Sequence, residues 1–161
     1  MSSQLFSPFT MRGMTIDNRT IVSPMCEYSA VDGSATDWHL MHLGQFATSG
    51  IGLVITEAAA VEPRGRITPQ CLGIWSDDNE EALGRVMHFC REYGQAKMGI
   101  QLAHAGRKAS THRPWDGRDP LKEGAGAWET ISSSANPQGE GWHTPRSMDR
   151  AEMSVVRDAF V

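Results

Sequence analysis

The stretch Ile51–Glu57 carries Ile51, Leu53, Val54 and Ile55 without the polar–apolar alternation of a half-exposed strand. Such a strand is buried on both faces, which places it in a parallel sheet covered by helices on each side. The sequence around it repeats a strand-then-helix order. A first strand spans Arg19–Ser23, and a helix runs from Asp37 to about Ser49. That helix sets Leu40, Leu43 and Ala47 at helical spacing and ends at Gly50. A second helix begins near Asp77, where Asp77 and Glu80 form a capping-box pattern. Its stripe is Leu83, Val86, Met87 and Cys90, and Gly94 closes it. A third strand follows at Lys97–Ala103.

The last element opens at Ser147 as N-cap, with Asp149 and Glu152 in its first turn. Met153, Val156 and Phe160 then mark its apolar face. No glycine, proline or basic stop signal follows, so the expectation is a third helix cut short at Val161.

Repeated β-α units with right-handed crossovers build either an open doubly wound sheet or a barrel of parallel strands. No G-x-G-x-x-G follows the first strand, so the fingerprint of the open dinucleotide-binding fold is missing. The strand-to-helix loops are long and hold the unusual residues, while the returns are short. That asymmetry belongs to a (β/α)8 TIM barrel with its chemistry at the C-terminal ends of the strands. The expected class is therefore α/β: the first three β-α units of such a barrel. Residues 1–18, with Leu5, Phe6, Phe9 and Met14 among turn formers, read as a hairpin plugging the opposite face. Residues 19–106 hold the strands and helices, 107–146 a capping loop, and 147–161 the shortened helix. A complete barrel takes roughly 250 residues, so a chain of 161 residues is expected to hold part of one.

Charge gives no footprint for nucleic acid or an anionic membrane, since 15 Lys and Arg face 19 Asp and Glu. No apolar run is long enough to span a bilayer. Met1–Phe6 lacks a basic and an apolar leader region, which points to the cytoplasm. Cys26, Cys71 and Cys90 are widely spaced and odd in number, as for reduced thiols. The aperiodic segment 107–146 carries Trp115, Trp128 and Trp142. Long loops of this kind often act as lids. Equally, its tryptophans could pin a surface excursion to the barrel.

Three segments place chemistry at strand ends. In Ser23-Pro-Met-Cys-Glu-Tyr-Ser-Ala30, Pro24 ends the ladder and sets the thiol of Cys26 and the phenol of Tyr28 two residues apart. That thiol could serve as nucleophile, metal ligand or soft contact to a bound ring, or simply as packing. At the end of the third strand, Gln101 offers a donor and an acceptor in fixed directions, followed by His104, Arg107 and Lys108. After the second, Ala58, Ala59 and Ala60 let a flat ligand approach the backbone. Glu57 is enclosed by apolar sequence and is expected to pair with a cation or accept backbone hydrogen bonds. His39 and His42 have a spacing that can bind metal, yet no third ligand lies nearby in sequence. They read as helix packing, and no metal site is expected.

These segments resemble the old yellow enzyme family of flavin-dependent ene-reductases, and more narrowly its bacterial cysteine-containing, xenobiotic-reductase-like subgroup. The matching motifs are SPMCEYSA (23–30), DWHLMHLGQFA (37–47), GLVITEAAAVEPRGRITPQCLGIWSDD (52–78) and GIQLAHAGRKAS (99–110). The resemblance implies noncovalent FMN across the barrel mouth and NAD(P)H as co-substrate. It implies that Ser23, Pro24, Met25 and Cys26 line the flavin, that Ala58 packs near the ring, and that Gln101 bonds its pyrimidine edge. Cys26 would tune the flavin, and Tyr28 would reach the carbonyl of a small electrophilic alkene.

In the family, the paired substrate-polarising side chains, the tyrosine proton donor and the phosphate anchor follow later strands. The chain is accordingly expected to need a C-terminal barrel half, from a longer parent or another chain, and to form homo-oligomers. Two other readings stand beside this one. The chain could be a non-catalytic half-barrel module that self-associates through exposed strand edges. Alternatively, Cys26 could act as a covalent nucleophile in a different barrel chemistry.

Overall fold

Three parallel strands lie side by side, joined in sequence by two crossovers that each pass through a helix. The structure, a computed structural model, describes residues 3–161. Strand β3 (Ile21–Val22), strand β4 (Leu53–Ala60) and strand β5 (Lys97–Ala103) form one sheet in that order. Before them, β1 (Phe9–Met11) and β2 (Met14–Ile16) make the expected antiparallel hairpin, with Phe9 opposite Ile16. Its two-residue turn puts Arg12 at φ 54°, the left-handed geometry that matches strand twist. The Asn18 side chain donates to Gly50 O at 2.7 Å, tying the hairpin to the N-terminal end of the sheet.

The central strand explains why alternation was absent from the sequence. In the register of β4 on β5, Ile55 lies opposite Gly99 and Ala58 opposite Gln101. Three steps along β4 therefore match two along β5, which is a bulge with one extra residue. Thr56 and Glu57 are both buried as a result. The ladder then continues to Ala60, past the end expected at Glu57. By contrast, β3 pairs over only two residues rather than the five of Arg19–Ser23, and Pro24 just beyond has no N–H to extend the ladder.

Helix α1 (Asp37–Ala47) and helix α2 (Asp77–Tyr93) cover one face of the sheet. Leu43 and Ala47 of α1 meet Leu83, Val86 and Cys90 of α2 over Val54 and Ala59, the expected stripes. The N-cap of α2 is Ser76, whose hydroxyl accepts the Asn79 amide at 3.3 Å, so the cap lies one residue before the expected Asp77 and the reciprocal bond of the Asp77–Glu80 box is not made. Gly94 closes α2 with an extended φ of −93°. Glycine is needed there because a Cβ would collide with Cys90 O and Ala47 O.

Segment 107–146 holds two short turns, Gly106–Lys108 and Pro114–Asp116. It also contributes β6 (Ile131–Ser132), which pairs in parallel with β7 (Arg146–Ser147). Because Ser147 is committed to that ladder, it does not cap helix α3 (Arg150–Ala159). Asp149 does, accepting the Glu152 amide at 2.9 Å while the Glu152 carboxylate accepts the Asp149 amide at 3.2 Å. No residue of α3 is buried. Strand β5 is likewise open, with Ile100 and Leu102 each 42% exposed.

Candidate functional site

The C-terminal end of the sheet gathers the residues singled out at strand ends. The turn after β3 is fastened from below by Glu57, which the bulge in β4 directs toward α1. Its Oε2 accepts the Glu27 amide at 3.2 Å, and its Oε1 lies 3.1 Å from His39 Nε2. The tautomer of His39 follows from its other nitrogen. Nδ1 accepts the Thr36 amide at 2.9 Å, so the proton sits on Nε2 and is donated to Glu57. Of the two partners expected of it, a cation or backbone amides, Glu57 takes a backbone amide, and a neutral imidazole stands where a cation was the alternative.

The fold brings in acidic neighbours that sequence spacing did not. Ligand atoms of Glu27, His39 and Glu57 lie within 4.8 Å of one another. The Nε2 lone pair that a metal would need is occupied by the proton held against Glu57, so the trio reads as a hydrogen-bond network. His42 stands apart from it, 4.0 Å from the Glu27 carboxylate. Burial, with the Glu57 charge adding to it, pushes the Glu27 carboxyl up to about 7, while His39 opposes the shift. Its Oε2 is buried without a hydrogen-bond partner.

With Glu27 turned inward, Cys26 and Tyr28 flank it. Tyr28 has φ 51°, a left-handed conformation costly for a bulky residue. The flanking chain holds it there: Ala30 N donates to Gln70 O at 3.0 Å, and Thr36 Oγ1 donates to Ser29 O at 3.1 Å. The phenol meets Trp115 edge-on at 5.4 Å between ring centroids. Burial, then the neighbouring Cys26 and Cys71, pushes its pKa up to about 12. At neutral pH Tyr28 is a hydrogen-bond donor.

Cys26 is half-buried, and the neighbouring Cys71 together with burial pushes its thiol up. Cys71 carried no signal of its own in the sequence, where it was one of three scattered thiols. It ends the turn Thr68–Cys71, and both the amide and the hydroxyl of Thr68 stand 3.4 Å from its sulfur. Ser23 and Met25 are exposed, and Pro24 is half-buried beside them. Gln101 is exposed one strand over, in register with half-buried Ala58.

Two cavities adjoin here. One of about 250 Å³ is lined by Ala58, Ala60, Gly65, Ala103 and Lys108. The other, about 290 Å³, is lined by Tyr28, Ile67, Lys108, His112, Arg118 and Trp142. Ile67 and Lys108 line both. The capping segment is anchored beside them: Trp128 Nε1 donates to Arg64 O at 3.0 Å. Arg66 places its guanidinium 5.1 Å from Trp75 and 5.3 Å from Trp128. The tryptophans therefore both pin the loop and line the space beside Tyr28. His104 and Arg107 differ in role, because His104 Nε2 is 2.7 Å from Glu62 Oε1 whereas Arg107 is exposed.

Residues 4–161 match the model of the NADH:flavin oxidoreductase / NADH oxidase family. NADH:flavin oxidoreductase FG08077 of Gibberella zeae is 42% identical over 165 residues, covering 99% of this chain and 40% of that protein. NADPH dehydrogenase of Geobacillus sp. (strain WCH70) is 43% identical over 162 residues, covering 99% and 43%. Among solved structures, morphinone reductase in complex with tetrahydroNAD superposes with a TM-score of 0.79 at 22% identity, covering 99% of this chain and 44% of that one. That likeness carries the fold, here the opening strands of a (β/α)8 barrel. The chain spans 40% and 43% of the length of those two curated relatives. It belongs to the NADH:flavin oxidoreductase / NADH oxidase family, a group of FMN-dependent oxidoreductases.

Proposed function

We propose that this chain forms the flavin-ring side of an active site that oxidises NADH or NADPH and reduces an activated alkene, such as an enone, or a xenobiotic electrophile. The observation that carries the reading is the pair of adjoining cavities at the strand ends. The alanine-lined one has the small walls that a flat heteroaromatic ring requires, and of the residues proposed for FMN Ala58 lines it. When bound, FMN would supply the redox chemistry, passing hydride to the acceptor.

The chain's own residues bind, orient and polarise. Ser23, Pro24 and Met25 line the ring through backbone and side chain, and Cys26 sets its soft sulfur against it. Ala58 lets the ring approach the backbone, and Gln101 reads its pyrimidine edge with a fixed donor and acceptor. Tyr28 would donate a hydrogen bond to the carbonyl oxygen of the acceptor, which the second cavity would receive. Lys108 and Ile67, shared by the two cavities, mark where donor and acceptor meet. We place the protein in the cytoplasm, and among the described residues no helix is long and apolar enough to cross a membrane.

The relatives' greater length supports a site completed by further strands, from a longer chain or a second one. The test is to add FMN to the 161-residue chain and follow enone-dependent NADPH oxidation, alone and after fusion to the C-terminal part of the Geobacillus relative. Turnover is expected only from the fusion. Turnover by the chain alone would overturn the incomplete site. A folded, FMN-loaded fusion that leaves NADPH untouched would overturn the enzyme reading.

One observation favours a second reading, a self-associating half-barrel. Ile21, Ile100 and Leu102 are exposed on the two edge strands. A soluble, flavin-free homo-oligomer that melts cooperatively would support it.

A further inference from the structure

We propose that the cavity beside Tyr28 is an anion-binding subsite, and that the acceptor it takes is a small activated alkene carrying a carboxylate. The inference rests on the reading of that cavity as the acceptor's, and it names the chemical class of the molecule. Lys108, His112 and Arg118 all border the cavity, beside the Tyr28 hydroxyl and the Gln138 amide. Among the described residues no Asp or Glu borders it, although Asp and Glu outnumber Lys and Arg by 19 to 15 in the whole chain.

The other basic side chains around the site are already engaged. Arg113 lies 2.7 Å from Asp116 Oδ2, with its guanidinium 5.2 Å from the Trp115 ring. Arg64 and His104 each lie 2.7 Å from Glu62 Oε1. Arg66 donates to the carbonyls of Pro63 and Pro69 and sits over Trp75 and Trp128. By contrast, Lys108, His112 and Arg118 take part in no ion pair among the described residues. The hydroxyls of the cavity wall are bonded within the protein: Thr111 Oγ1 donates to Ile67 O at 3.2 Å, and Thr68 Oγ1 accepts the Gln70 amide at 3.2 Å. Three unpaired basic groups next to a phenol call for a ligand that brings acceptors and negative charge.

Two of the three sit on one closed turn. His112 N donates to Asp119 O at 2.9 Å and Leu121 N to Ser110 O at 2.8 Å. Between those bonds the chain reverses, with Asp116 N and Arg118 N both donating to Arg113 O. Arg118 itself holds φ 66°, a left-handed conformation uncommon for a long side chain. Lys108 stands at the wall shared with the alanine-lined cavity. The volume of about 290 Å³ lies at the low end of small-molecule pockets, roughly 300–1,000 Å³. That space suits a ring-sized acid rather than a dinucleotide. On this assignment Tyr28 takes the carbonyl of the acceptor, and Arg118 and Lys108 hold its carboxylate through charge-assisted hydrogen bonds.

The test is a calorimetric titration of the chain as it is, without FMN and without turnover. Its failure is therefore distinct from a failure of the flavin reading, which a flavin spectrum reports. The probe is para-acetylbenzoate, which carries a ketone and a carboxylate on one ring and does not alkylate thiols. Its methyl ester is the neutral control. The acid is expected to bind roughly tenfold more tightly than the ester at low salt, and the difference should shrink as salt is raised. Arg118→Gln and Lys108→Gln should each remove most of that preference. Arg107→Gln, at an exposed position outside the cavity lining, should preserve it. Equal binding of acid and ester, no binding of either, or a preference that survives both cavity substitutions would each overturn the proposal. So would NADPH binding more tightly than NADH through Arg118, because the cations would then serve a nucleotide phosphate instead of the acceptor.

Discussion

Glu27 sits between the two side chains assigned to chemistry and is itself turned away from it. Its carboxyl titrates at about 7 in the folded chain, against roughly 4.3 in an unfolded one. Between those values the folded state holds a proton that the unfolded state releases. Stability therefore falls as pH rises from about 4.3 toward 7, and is flat above. Gln is a neutral isostere of the protonated form. Glu27→Gln is expected to raise the melting midpoint by a few degrees at pH 8, on the order of 2–4 °C per kcal/mol, and to leave it unchanged near pH 4. Thermal scans at the two pH values decide this, and an equal shift at both would refute the assignment. The neighbouring network was half legible in the sequence. Enclosure by apolar residues marked Glu57 as needing partners. His39 was set aside as packing because its acidic neighbours lie 12 and 18 residues away and meet it only through the bulge.

At the scale of elements, α3 offers the sharpest comparison. Ser147 and Asp149 compete for the cap on composition alone, and the β6–β7 ladder removes Ser147 from the contest. Asp149→Ala is expected to cost about 1 kcal/mol in helix stability, and Ser147→Ala a few tenths. Amide exchange across Arg150–Ala159 should speed several-fold in the first variant and hardly change in the second. Equal effects would return the cap to Ser147. The pattern of what could be read is consistent. Helices α1 and α2 and strand β5 declare themselves by apolar period over many residues, so their cores were identified. A two-residue ladder such as β6–β7 has no period to read. Cys26 and Tyr28 follow β3, and Ala58 and Gln101 lie near the ends of β4 and β5, so their nearness to the strand ends could be read from the strand pattern. Cys71 carried no such signal, since it occupies an isolated turn that comes near Cys26 only in three dimensions.

At the scale of the molecule, the described chain has a core on one side of its sheet and open apolar surface elsewhere. The helices bury Val54 and Ala59 against α1 and α2, whereas β3 and β5 are both edge strands and α3 buries nothing. Exposed edges with apolar side chains invite pairing with further strands or with another copy. The two curated relatives are more than twice as long as the chain. On the proposed reading the chain presents one wall of a ring-binding site, with the Tyr28 phenol and the Gln101 amide as its polar groups. The account's central claim is that this wall recognises the flavin ring. Titration of FMN with the 161-residue chain, read as the flavin difference spectrum, tests it most directly. A saturable shift of the flavin band that is lost in Gln101→Ala is the predicted result. A spectrum that stays unchanged at saturating protein, or shifts equally with and without Gln101, would contradict it.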